Sequence, residues 1–347
     1  MRIAINGFGR VGRNITRALL GQNTQAHAEL KLVALNDLAP IEHSAHLLKY
    51  DSVYGQYHKP ISIKDDQILI ADESIRYFSE ADPGKASWGK LNIDLVLECT
   101  GCFPSAEKSS SHLDAGAARV LISQPATGVD KTIVFGVNHE TLSDSDLIIS
   151  NASCTTNCLV PLAKVINDHF EIKEGLMVTT HAYTNDQNLL DVDHSDLYRA
   201  RSAALSMIPT KTGAAAAVGD VLPELKGKLD GMAIRVPTPT VSLLILTFVT
   251  VKNFEIRELN KVLIEASKTN LRNVLEVNDI PLVSADFRGH TASCIYDKAH
   301  TKKTGSTTKV LAWYDNEWAF SNRMLDVALY IEKNLASSNS TSSVIND

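Results

Sequence analysis

Short apolar runs alternate with helical periodicities through the first 150 residues of the chain. Residues 2–6 read as a buried strand, and a helical pattern runs from the turn after it to Leu20. Residues 30–35, 95–97, 120–123 and 147–149 read as further buried strands, with turns at 82–84 and around Gly116. Such a βαβ succession predicts a doubly wound parallel sheet, whose ligands bind outside the carboxyl ends of the strands. After Cys154, the residues Cys158, Leu159, Leu162, Val165, Ile166 and Phe170 recur mostly at three- and four-residue intervals, one buried face of a helix. Ser153 can cap that helix, and Pro161 inside it predicts a kink near Asn157. The pattern then changes. Residues 176–180, 231–236, 241–251 and 309–313 are apolar and extended, and residues 257–269 are helical. Asp315 or Asn316 can cap a last helix through Leu335 with Phe320, Leu325, Ala328 and Ile331 on one side. This half predicts an α+β domain with a mainly antiparallel sheet and helices on one face. Residues 336–347 carry no core-forming pattern and are expected to be disordered.

The first strand runs into Gly7-Phe8-Gly9-Arg10-Val11-Gly12, a G-x-G-x-x-G. Glycines at these positions permit a tight turn, close approach of backbone to a pyrophosphate and close packing of helix on strand. The motif alone is weak, and its context strengthens it. The second strand ends in Asn36-Asp37, and Asp37 stands 25 residues after Gly12, near the usual spacing of about 20. A carboxylate there accepts bonds from ribose hydroxyls and repels a 2′-phosphate, which predicts NAD rather than NADP. Thr100, Gly101 and Ser123 fall at other strand ends and are expected near the cofactor. The fold class expected is therefore α/β: a Rossmann-type doubly wound domain followed by the α+β domain.

Composition narrows the setting. The 347 residues suffice for two cores, and a formal net charge of −6 argues against nucleic acid as the main partner. Five cysteines in so long a chain are no disulfide framework. Cys99 and Cys102 form a lone C-x-x-C without a second ligand pair, so no metal is expected. The opening MRIAINGFGR lacks the succession of a signal peptide, and the longest apolar run is too short for a membrane span. A cytoplasmic chain with no membrane partner is expected.

The chemistry concentrates in SNASCTTNC, residues 150–158. A thiol in the first turn of a helix feels the dipole and unpaired N–H groups, both of which favour thiolate, so Cys154 is a candidate nucleophile. Cys158 lies on the apolar face and reads as core. Of the eleven histidines, His181 ends an apolar strand among Thr180, Tyr183, Thr184 and Asn185, and could pair with the thiolate and then exchange protons with a substrate oxygen. Arg199, Arg201 and Arg235, with Lys211, Thr212 and Gly213, could recognise phosphates.

Six strings carry a resemblance in order along nearly the whole chain: INGFGRVGR, SNASCTTNC, HAYTNDQ, RARSAALSMIPTKTGAA, GMAIRVP and WYDNEW. Together they resemble the phosphorylating glyceraldehyde-3-phosphate dehydrogenases. The resemblance implies that Cys154 attacks the aldehyde of glyceraldehyde 3-phosphate to give a thiohemiacetal, and that His181 removes its proton as hydride passes to NAD. Inorganic phosphate then cleaves the resulting thioester to an acyl phosphate. It further implies that Thr184 and Arg235 hold the substrate's phosphate, that Ser153, Thr155, Arg199, Thr212 and Gly213 hold the attacking phosphate, and that Asn316 fixes the nicotinamide amide. The implied partition is an NAD-binding domain of residues 1–153 and 317–347, to which the last helix returns, around a catalytic domain of residues 154–316. A homotetramer is implied, with the loop around 191–213 at its contacts.

The chain departs from the family pattern at Tyr198, Ala319 and Phe320, and residues 190–193 match neither the NAD-specific nor the NADP-using form of that segment. Phe320 is shared with the erythrose-4-phosphate dehydrogenases, which lack the threonine matching Thr184. That enzyme is the alternative, and a nucleotide-binding sensor without catalysis is another, opposed by the presence of both Cys154 and His181.

Overall fold

The computed structural model describes residues 1–21 and 27–335, and the tail 336–347 lies outside them. The chain divides into two compact units, Met1–Ala152 with the chain from Ser321 onward, and Ser153–Phe320.

In the first unit a nine-stranded sheet is centred on Arg2–Asn6, flanked in parallel by Lys31–Asn36 on one side and Leu95–Glu98 on the other. After Lys31–Asn36 the chain goes to the far edge, comes back inward to pair beside that strand, then crosses past the first strand to add Leu95–Glu98, Arg119–Ile122 and Ile148–Ser150. The order therefore reverses beside Arg2–Asn6, where such sheets bind ligands. Residues Ile3, Ala4, Ile5, Leu95, Val96 and Leu97 are fully buried, as a strand covered on both faces requires. Glu73–Phe78 pairs in parallel with Lys31–Asn36 and continues outward in an antiparallel meander with Gln67–Ile70 and Ile61–Lys64 at one edge. Their alternation is mixed and short, and the sequence reading did not resolve them. The last helix, Trp318–Asn334, enters this unit at Ser321. There Glu332 pairs with the N-terminal ammonium at 2.8 Å and Asp326 with His27 at 2.9 Å.

The second unit is a seven-stranded sheet on which Cys154–Phe170 and Ile256–Lys268 pack. Four of its strand pairs are antiparallel, while Ile172–Ala182 with Leu229–Val236 and Leu275–Asn278 with Cys294–Thr304 run parallel. The first parallel pair matters most, because its register sets His181 opposite Arg235. Leu244, Leu246 and Phe248 alternate inward along Ser242–Thr250, the period of a sheet with one covered face. The helix Cys154–Phe170 runs on through Pro161 with its expected apolar face buried.

Candidate active site

Each unit holds one part of the predicted chemistry. In the first, Gly7 adopts φ +92°, and a Cβ there would stand 2.6 Å from Thr100 N. Glycine is required at that turn for both reasons. At Gly12 a Cβ would meet Gly7 O at 2.3 Å, so the helix packs on the turn only without a side chain. Gly9 is the opposite case: among the described residues nothing lies within 4 Å of where its Cβ would be. It starts the helix Arg10–Leu19, which has no side-chain cap and no acid in its first turn. An open turn ahead of an uncapped helix N-terminus suits a pyrophosphate.

The side chains refine this picture. The Arg10 guanidinium pairs with Asp51 and lies over the Tyr54 ring at 5.6 Å from its centroid. What Arg10 and Val11 offer a ligand is therefore main-chain N–H. Asp37 accepts from Phe8 N at 2.6 Å and from Ala39 N at 2.9 Å. Asn36 donates both amide hydrogens inside the unit, to Asn6 Oδ1 at 2.6 Å and Glu80 O at 2.8 Å, so its side chain braces the strand end. Thr100 and Gly101 sit exposed at the end of Leu95–Glu98, and Ser123 follows Arg119–Ile122. These residues fit a dinucleotide with an anionic middle and a free ribose diol.

Ala152, the last residue of the first unit before the crossing, is held at φ +56° and leads into Ser153 of the second, whose Oγ accepts from Thr156 N at 3.0 Å. This cap sets Cys154 in the first helical turn, with its Sγ 3.5 Å from His181 Nε2. The opposite ring nitrogen, Nδ1, is 2.6 Å from Ala182 O. A carbonyl only accepts, so Nδ1 carries the ring proton and Nε2 turns its lone pair to the thiol. Burial acts against the expected resting ion pair. Burial pushes the Cys154 thiol up, and Arg235 together with the Thr155 hydroxyl and N–H only partly pulls it back. Burial, then Arg235 and Arg199, push the His181 imidazole down to about 3. The helix N-terminus acts in the expected direction, but desolvation of both partners outweighs it. Both shifts favour a thiol facing a neutral imidazole across the 3.5 Å contact.

Tyr314, absent from the sequence-derived site, organises this pair. Its hydroxyl bonds Thr155 Oγ1 at 2.9 Å and Thr179 Oγ1 at 2.7 Å, and its ring meets the His181 ring edge-on at 6.0 Å. Tyr314 stands in WYDNEW, but nothing in the spacing says that it reaches 159 residues back to Thr155. Arg235 Nη1 donates to Thr184 Oγ1 and to Ala182 O, both at 3.1 Å, while its buried Nε has no partner among the described residues. Arg199 is engaged by its own segment: it pairs with Asp186, donates to Thr210 Oγ1 at 2.9 Å and to Lys211 O at 3.2 Å. Arg201 pairs instead with Asp191 at 2.7 Å. Thr212 Oγ1 accepts from Ala214 N at 3.2 Å, and Gly213 is exposed. Ser242 Oγ donates to Asn316 Oδ1 at 3.1 Å, which fixes the orientation of that amide. Asp315, not Asn316, caps the last helix, accepting from Glu317 N and Trp318 N.

Comparison with known proteins agrees with this chemistry. Residues 1–106 match the family model described as glyceraldehyde 3-phosphate dehydrogenase, NAD binding domain, and residues 153–316 match its C-terminal domain. A glyceraldehyde-3-phosphate dehydrogenase of Pseudomonas aeruginosa is 52% identical over 329 residues, 95% of this chain and 97% of the relative. The plasmid-encoded enzyme of Cupriavidus necator is 51% identical over 330 residues, covering 95% and 98% of the two chains. One from Mycolicibacterium smegmatis is 49% identical over 338 residues, covering 96% and 99%. The chain belongs to the glyceraldehyde-3-phosphate dehydrogenase family.

Proposed function

We propose that the chain oxidises glyceraldehyde 3-phosphate with NAD and inorganic phosphate to an acyl phosphate. The observation that carries this reading is the Cys154 Sγ to His181 Nε2 bond of 3.5 Å with the imidazole tautomer set by Ala182. As the thiol adds to the aldehyde carbon its proton passes to Nε2, and the imidazolium returns it to the new alkoxide, giving a thiohemiacetal on Cys154. Nε2 takes that hydroxyl proton again as the carbon is oxidised to a thioester. NAD, held by the first unit, supplies the hydride acceptor. Inorganic phosphate adds to the thioester carbonyl, and departure of the Cys154 thiolate releases the acyl phosphate.

The two substrate anions also offset the part of the imidazole's depression that comes from the arginines. Arg235 with Thr184 is the partner proposed for the substrate's phosphate, with the buried Nε, unpartnered among the described residues, as a donor left for the anion. Arg199, with Ser153, the Thr155 N–H, Thr212 and Gly213, is proposed for the attacking phosphate. Anions on these guanidiniums offset the positive field that lowers His181, which makes it a better base when substrates are bound. Self-association as a homotetramer is part of this reading, supported by the exposure of Leu189, Leu197, Leu205 and Met207, each about three-quarters or more exposed. So is a cytoplasmic setting.

The test is NADH formation with glyceraldehyde 3-phosphate and with erythrose 4-phosphate, each with and without phosphate. Turnover that prefers the three-carbon substrate and requires phosphate supports the reading. A preference for erythrose 4-phosphate or indifference to phosphate overturns it.

A further inference from the structure

A closed polar network lies under the strand ends of the first unit. Glu98, the last residue of Leu95–Glu98, is 1% exposed, yet its carboxylate faces no Lys or Arg in any ion pair of the described residues. Four donors meet it. Oε1 accepts from Thr100 N at 2.7 Å and from Thr100 Oγ1, and Oε2 accepts from Asn6 Nδ2 at 2.6 Å and from His112 Nε2 at 3.0 Å. The histidine's role follows from its other nitrogen. Trp88 Nε1, which can only donate, meets His112 Nδ1 at 3.1 Å, so the ring proton sits on Nε2 and points at Glu98. Trp88 and His112 are themselves fully buried.

The network does not stop at Glu98. Asn6, the last residue of the central strand, passes it to Asn36 through Oδ1 at 2.6 Å, and Asn36 closes it on the Glu80 main chain at both ends of its amide, each at 2.8 Å. On the other side Thr100 Oγ1 accepts from Cys102 N at 3.0 Å. One buried carboxylate thus ties together the ends of three adjacent strands at the place where strand order reverses. From those ends leave the turn at Gly7, the ribose-facing Asp37 and the Thr100-Gly101 segment. Gly7 and Thr100 are close enough that a single methyl on Gly7 would collide with Thr100 N.

A carboxylate is suited to this post because it accepts at both oxygens, whereas an amide presents donors at one end. Burying it without a cation is costly, and packing alone would be served by an apolar residue at lower cost. We propose that Glu98 is a positioning residue for the dinucleotide: it holds the three strand ends in one spacing, and His112 with Trp88 holds Glu98. This rests on the assignment of NAD to the first unit.

The experiment measures NAD affinity by titration calorimetry on the full chain, with thermal unfolding and steady-state kinetics alongside. Wild-type protein that fails to bind NAD refutes the cofactor assignment itself. Given wild-type binding, Glu98→Gln should weaken NAD at least tenfold and raise KM for NAD, with kcat at saturating NAD and iodoacetamide labelling of Cys154 in the absence of NAD little changed. If Glu98→Gln does not fold, His112→Leu and His112→Gln decide the matter. The leucine should weaken NAD severalfold, and the glutamine, which can donate to Glu98 and accept from Trp88, should restore most of it. Variants that lower the melting temperature while NAD affinity stays at the wild-type value show a purely structural network and overturn the proposal.

Discussion

Asp37 accepts the main-chain N–H of Phe8 at 2.6 Å, so the carboxylate that ends the second strand also holds the glycine turn that ends the first. Its substitution therefore acts twice on the cofactor. Asp37→Ala should remove the ribose contact and loosen the turn, weakening NAD by roughly tenfold to a hundredfold, the value of one charge-assisted hydrogen bond. NADP should lose less, because the repulsion of its 2′-phosphate goes with the carboxylate. Titration of both dinucleotides checks this, and wild-type protein that takes NADP as tightly as NAD would contradict the role of Asp37.

Arg235 is predicted to favour the charged form of the Cys154 thiol and to disfavour that of the His181 imidazole, lowering both groups. In Arg235→Leu without substrates, the thiol should titrate at higher pH and alkylation by iodoacetamide at neutral pH should slow severalfold. His181→Asn should slow it too, by removing the acceptor of the S–H bond. Wild-type alkylation should keep rising into the alkaline range, and a plateau by pH 6 would restore the resting ion pair.

Acid should expose the cost of burying His181 as a neutral ring. Its folded value of about 3 lies below that of a free imidazole near 6.5. Between those values the unfolded chain binds a proton that the folded chain refuses, so stability is lost as pH falls through that window. His181→Asn should flatten this part of the stability profile of the second unit. Denaturant unfolding at pH 4.5 and pH 7.5 measures it, and parallel losses in variant and wild type would show that His181 is not the group responsible.

Tyr314→Phe should leave the Thr155 and Thr179 hydroxyls without their partner in a buried site. Loss of stability of about 1 to 3 kcal/mol is expected from the unmade bonds, together with slower alkylation of Cys154 as the Thr155 hydroxyl loses its brace, while the ring contact to His181 is kept. Urea denaturation and alkylation kinetics on the same samples check both. A variant as stable as wild type would mean that water replaces the hydroxyl.

The two arginines should separate by kinetic step. Arg199→Leu should leave the initial burst of NADH largely intact in rapid mixing while steady turnover falls and phosphate binds more weakly. Arg235→Leu should slow the burst itself at low aldehyde. Tenfold to hundredfold effects follow from charge-assisted bonds of roughly 1.5 to 3 kcal/mol. The reverse pattern would exchange the two phosphate assignments.

Local order in the chain was enough to find the glycine turn, Asp37, the Ser153 cap and the buried face from Cys158 to Phe170, because each depends on residues within a few turns of one another. Periodicity likewise separated a parallel, doubly covered sheet from a sheet with one covered face. The antiparallel meander at residues 61–78 was not legible, since short edge strands bury too little to leave a clear alternation.

What only the tertiary structure decided is every relation between distant strands. His181 and Arg235 meet because two parallel strands align them in register, and Tyr314 reaches Thr155 from a strand that follows it by 159 residues. The Glu98 network joins residues 6, 36, 80, 98, 100 and 112, none of which announces the others. The balance of protonation depends on the tertiary structure as well. The sequence places a thiol at a helix N-terminus and predicts a thiolate, but the shift of a buried group is governed first by how much water the whole fold removes from around it, a quantity no local stretch contains.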